Sequence, residues 1–85
     1  MRLLETAKFQ KFRSKLKEES EREALRAAVL AVLEDPSAGK KLKGEFRELR
    51  SFRYAVQGQS RRLIYRLDKD AIVLFSFGPR QGIYK

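Results

Sequence analysis

Apolar positions along this chain repeat with two different periods, and the change falls near residue 46. Residues 2–5 (Arg-Leu-Leu-Glu) read as a short first strand. Thr6 follows as a helix N-cap, and Phe9, Phe12 and Leu16 recur at i, i+3 and i+7, which predicts a helix with both phenylalanines in the core. Ser20-Glu21-Arg22-Glu23 matches a capping box, with Ser20 as N-cap and Glu23 three residues on. Leu25, Ala28, Val29, Val32 and Leu33 then lay down one apolar stripe, so a second, amphipathic helix is predicted. Glu18, Glu19, Glu21 and Glu23 near its start suit the positive end of the helix dipole. Asp35-Pro36 and Gly39 stop it, and residues 35–45 read as a loop.

Beyond residue 46 the period becomes two. Phe52, Tyr54 and Val56 alternate with Arg53 and Ala55; after Gly58, Leu63, Tyr65 and Leu67 alternate with Arg62, Ile64 and Arg66. Asp68-Lys69-Asp70 marks another turn, and Ala71 to Phe77 is a mostly apolar run of the kind buried on both faces. Short turns between successive strands imply an antiparallel meander. The expected fold is therefore α+β, in the order β-α-α-β-β-β: residues 1–85 form one domain, an antiparallel sheet with two helices packed on one face and the other face open. Side chains two apart share a face. With Phe52, Tyr54, Leu63 and Tyr65 packed on the helices, Arg53, Arg62 and Arg66 point the other way, as a row of guanidinium groups.

Charge sharpens this picture. The net charge is +9, unevenly placed: residues 1–39 carry +1 and residues 40–85 carry +8. The N-terminal half is a nearly neutral scaffold and the C-terminal half a cationic surface that attracts polyanions, RNA or DNA first among them. A basic surface kept for solubility, or facing an acidic protein, is the competing reading. Arginine suits the first reading, since its planar fork binds phosphate in a bidentate way and stays charged. The chain has no cysteine and no histidine. Thiolate metal sites are excluded, the commonest metal ligand and the commonest neutral-pH acid–base group are missing, and no metal or other cofactor is expected. No apolar run suggests a signal peptide or a membrane span, so a soluble, cytoplasmic protein is expected.

Four segments, taken in order, are similar to one known family. Lys41-Leu42-Lys43-Gly44 follows a helix and an Asp-Pro stop; Phe52-Arg53-Tyr54-Ala55-Val56 and Arg62-Leu63-Ile64-Tyr65 come next; Gly78-Pro79-Arg80-Gln81-Gly82-Ile83-Tyr84 closes the chain. Over residues 2–84 this resembles the RelE/ParE toxin superfamily of bacterial and archaeal toxin–antitoxin systems. The resemblance implies a RelE-like fold, close in outline to microbial ribonucleases. It also implies an mRNA interferase, that is, an endoribonuclease cutting message in the ribosomal A site, with translation inhibition and plasmid stabilization as its outcomes. A cognate antitoxin with an acidic segment would mask the basic face.

Residue by residue, the resemblance makes Arg62 the arginine that neutralises the scissile phosphate. Arg80 matches the arginine that stabilises the transition state or protonates the leaving 5′-oxygen, and Tyr84 the tyrosine that stacks on a base. Arg53 stands where well-studied relatives have a catalytic lysine, and Ala55 replaces a second lysine. Many relatives have His-Arg where this chain has Pro79-Arg80. Attack of a 2′-oxygen on phosphorus also needs a base. The candidates are Lys41, Lys43, Glu45 and Glu48; Lys43 is favoured because a lysine among cations has its pKa lowered, while simple phosphate contact is the competing role of both lysines. Lys40, Lys41, Lys43, Arg61, Arg66 and Lys85 are the expected RNA contacts. Two other functions remain open: a ParE-like inhibitor of DNA gyrase without nuclease activity, toward which Ala55 points, and a non-catalytic nucleic-acid-binding module.

Overall fold

The structure, a computed structural model, describes residues 1–79. Strand β1 (Arg2–Glu5) leads into helix α1 (Ala7–Ser14) and helix α2 (Glu19–Glu34). Then come a two-residue strand β2 (Lys40–Lys41), a single 3₁₀ turn at Gly44–Phe46, and strands β3 (Leu49–Val56), β4 (Gln59–Leu67) and β5 (Ala71–Gly78). The sheet order is β1-β5-β4-β3-β2.

The α+β class and the β3-β4-β5 meander are as the sequence pattern predicts, but the sheet is mixed rather than antiparallel. β1 pairs in parallel with β5, Leu3 opposite Ile72 and Leu4 opposite Val73. The pattern gives strand order along the chain and not the partner of an isolated first strand. With β1 on one side and β4 on the other, β5 is an interior strand, which is why its run is mostly apolar. Within the segment 35–45 that the sequence pattern predicts as loop, the two residues of β2 pair antiparallel with Ser51 and Arg50 at the far edge.

Helix starts divide the two capping readings. Thr6 caps α1 as expected, its Oγ1 accepting from Phe9 N at 3.1 Å. The capping box at Ser20 is not formed: α2 begins earlier, with Glu18 at the N-cap and no side-chain bond there, so Ser20 lies inside the first turn. α1 ends at Ser14, before Leu16, and Arg13 ties it to β1 by a two-pronged pair with Glu5 at 2.7 and 3.1 Å.

The core lies between the helices and one sheet face: Phe9, Leu25, Ala28 and Val32 against Leu63, Tyr65, Ile72 and Leu74. Phe9 meets Phe77 edge to face at 5.2 Å. Phe12, expected in the core, is 40% exposed and carries the Lys8 ammonium over its ring, because α1 turns only one apolar residue fully inward. Leu67 likewise lies exposed at the end of β4.

A bulge sets the parity of β5. Ile64 pairs with Ser76 while Tyr65 pairs with Leu74, so Phe75 is the extra residue. Strict alternation would put Leu74 and Ser76 on one face; the bulge lets Leu74 face the helices while Ser76 sits with Ile64 on the other side. That second face is less open than expected, since Ser51, Ile64, Val73 and Ser76 on it are all buried. No helix among the described residues is long and apolar enough to cross a membrane.

Candidate nucleic-acid interface

The β3–β4 hairpin positions the candidate site. Its two-residue turn has φ of 50° at Gln57 and 81° at Gly58, both left-handed, as a type I′ turn requires. The turn fixes the register, and Arg53 falls opposite Arg62. Like charges facing each other across strands are destabilising. No carboxylate ion-pairs with either one among the described residues, so the repulsion is left standing.

The two arginines are held differently. Arg53 is exposed, whereas Arg62 is half-buried and donates from Nη1 to Ser51 Oγ at 3.3 Å. Ser51 sits two residues before Arg53 on the same face, so a buried hydroxyl orients the guanidinium without neutralising it. The Nε of Arg62 and of Arg66 are out of solvent and unpartnered. Both stems therefore lie against the sheet on either side of Ile64, with the charged ends outward. Arg66 is more constrained: it bonds Asp68 at 3.1 Å and stands over the Phe75 ring at 5.6 Å.

Not every residue expected in the interface joins this face. Arg61 pairs with Tyr54 in the register and faces the helices, where Nη2 bonds Glu21 of α2 at 3.0 Å. There it serves the packing: Tyr54 beside it has its phenol pushed up to about 12 by burial and by Glu21, with Arg61 pulling the other way. Lys40 pairs with Ser51 and Lys41 with Arg50, so the two lysines of β2 straddle the sheet edge, both exposed. Lys43 is exposed and precedes the 3₁₀ turn, in which Glu45 lies. Arg80, Tyr84 and Lys85 lie outside the described residues. β5 ends at Gly78, which pairs with Arg62, and Arg80 follows two positions later in the chain.

Two contributors escaped the sequence reading. Ser51 had a signal, a small polar residue at the parity of Arg53. Arg50 had none, because it takes core parity opposite Tyr65. Its Nη1 donates to the Gly39 carbonyl at 2.9 Å.

A family model for the ParE-like toxin of type II bacterial toxin–antitoxin systems matches residues 3–85. The chain belongs to this toxin family. Solved structures share its fold: a YoeB/ParE toxin from Agrobacterium tumefaciens is similar at a TM-score of 0.77 and 16% identity, over 94% of this chain and 99% of that one. A chain of the intact RelBE toxin–antitoxin complex of E. coli is similar at 0.72 and 24% identity, over 94% and 96%. The isolated E. coli RelE toxin is similar at 0.72 and 25% identity, over 98% and 89%. Among proteins with curated descriptions, none matches in sequence.

Proposed function

We propose that this toxin is a ribosome-dependent endoribonuclease that cuts message by attack of a 2′-oxygen on the adjacent phosphorus, the whole of residues 1–85 acting as one toxin domain. The observation that carries the reading is the facing pair Arg53 and Arg62, on one sheet face, without a carboxylate partner among the described residues, with Arg62 oriented by Ser51. A guanidinium held by a hydroxyl before substrate arrives, with a second facing it across the strands, suits a phosphorane, because preorganised charge costs no reorganisation during the reaction.

In the proposed step a bond forms between the 2′-oxygen and phosphorus and the bond to the 5′-oxygen breaks, leaving a cyclic phosphate and a free 5′-hydroxyl. Lys43 takes the 2′-proton and Arg80 supplies one to the 5′-oxygen, while Tyr84 stacks on a base. The set lacks a strong base, so orientation of the message by the ribosome carries much of the rate. The antitoxin partner is a protein whose acidic segment covers the basic face; that RelE is found in a RelBE complex supports such a partner.

The test is inducible expression in bacteria with mapping of message 5′-ends. Cuts phased with the reading frame are expected, and Arg62→Ala should lower cleavage about 100-fold or more without changing the far-UV spectrum. Full toxicity in that variant would overturn the assignment. A second reading, gyrase inhibition, is favoured by exposed Ala55 on the arginine face, where a lysine is missing, and by the ParE-like family match. Its signature is gyrase-trapped DNA breaks in place of phased cuts.

A further inference from the structure

The same two strands build a second cationic feature at their other end. A cleft of about 410 Å³ opens where β3 begins and β4 ends, lined by Lys41, Arg47, Glu48, Arg50, Arg66 and Asp68. Four cations thus meet two carboxylates. Asp68 is engaged by Arg66, and Glu48 is exposed and ion-pairs with none of the four. Among the described residues, half-buried Arg50 is held by carbonyl oxygens alone, Gly39 at 2.9 Å and Ser37 at 3.5 Å. Carbonyl dipoles orient a guanidinium but do not neutralise it. Arg50 lines the cleft, and a partly buried charge without a counterion is relieved by an anion.

The geometry points to a second phosphate site in this cleft, with Arg50 inside and exposed Lys41 and Arg47 at its edge. It takes a phosphodiester of RNA remote from the one held by Arg53 and Arg62, and so rests on the RNA reading above. Arg62 and Arg66 are four residues apart on one strand, about 13 Å at the usual rise, so a backbone running along β4 passes from one site to the other. Planar guanidinium forks match phosphate oxygens, and the cleft reads charge and spacing rather than base. The phosphodiester has two sources, the message and ribosomal RNA.

The probe is a fluorescein-labelled single-stranded oligoribonucleotide with 2′-O-methyl groups, which resists cutting. Anisotropy titrations over a salt series compare the full chain with Lys41→Gln/Arg47→Gln, whose positions are exposed, and with Arg50→Gln. Loss of the cleft's one phosphate contact should reduce the slope of log K against log salt by about 0.7 on a single strand. A reduced slope supports the site with the message as source. An unchanged slope with weakened co-sedimentation on ribosomes supports it with ribosomal RNA as source. If both measurements are unchanged in all cleft variants while Arg53→Gln/Arg62→Gln weakens them, the cleft proposal falls and the RNA reading stands. If the unaltered chain binds neither RNA, both fall. If the cleft variants lose only an oligoglutamate peptide, the cleft serves a protein and the proposal is overturned.

Discussion

Tyr65→Phe removes one oxygen atom and should cost the fold about 2–3 kcal/mol. The hydroxyl donates to the Pro36 carbonyl at 2.7 Å and accepts from the Gly39 N–H at 2.9 Å, so it pins the segment after α2 onto β4. The ring is fully buried, and its phenol is pushed up from its ordinary value by that burial, with the Gly39 N–H and Arg50 pulling back. A neutral hydrogen bond is worth about 1 kcal/mol net, and an N–H left buried without a partner costs about 1–3 kcal/mol. Pro36 is only half-buried and recovers water, so Gly39 dominates the loss. For a domain of this size the melting temperature should fall by roughly 10–20 °C. Gly39 adds an internal check. A Cβ there would lie 2.5 Å from the Tyr65 hydroxyl and 2.7 and 2.9 Å from its ring carbons, so Gly39→Ala should be strongly destabilising. Removing the hydroxyl relieves the nearest clash but not the ring contacts, and the double-mutant cycle should show a favourable coupling of about 1 kcal/mol. Urea denaturation of the four proteins measures it. A Tyr65→Phe cost below about 0.5 kcal/mol, or an additive cycle, would refute the pinning.

Three further outcomes are expected. Tyr54 is raised from 10.0 to about 12 and so holds its proton more tightly folded than unfolded. The stability this contributes is complete below pH 10 and is lost as pH rises toward 12, by up to about 2 kcal/mol after allowing for partial exposure of the ring; alkaline melting curves of Tyr54→Phe should lack this share. Glu21→Ala should destabilise by about 1–2 kcal/mol, since it leaves the largely buried guanidinium of Arg61 without its carboxylate, held only by neutral oxygens of Gln59 and Ser60, and a cycle with Arg61→Ala should recover most of that by thermal melts. Gln57→Asn should raise stability by a few tenths to about 1 kcal/mol in urea titrations, because Gln57 holds φ of 50° and asparagine tolerates that region better.

Periodicity made most of the fold legible, and it did so where side-chain parity is the only thing that matters. Phe52 and Leu63 pair across strands on the helix face, and Arg53 and Arg62 pair on the other, as alternation requires. It stopped short where the decisive quantity was a partner distant in sequence. Nothing in Arg2–Glu5 tells that these residues run parallel to β5, and nothing in Phe75 marks it as the bulged residue. The missed capping box has a local cause: Ser20 competes with an acidic run at 18–23, and the helix gains backbone bonds by starting two residues earlier, with Arg22 N donating to the Glu18 carbonyl.

The adjacent arginines 61 and 62 show why charge counting could not finish the site. Both belong to the +8 half of the chain, and both were expected to meet RNA. One residue of register separates them, and in a strand that is the width of the sheet. Arg61 faces the helices, clamps Glu21 and gives its charge to the fold; Arg62 faces away and is held by a hydroxyl that takes none of its charge. The type I′ turn at Gln57-Gly58 and the bulge at Phe75 hold β4 in register from its two sides, so they decide which arginine meets α2 and which lies on the opposite face. A carboxylate at position 53 would pair with Arg62 across the strand as Glu21 of α2 pairs with Arg61; an arginine stands there instead, and the proposed function rests on that difference.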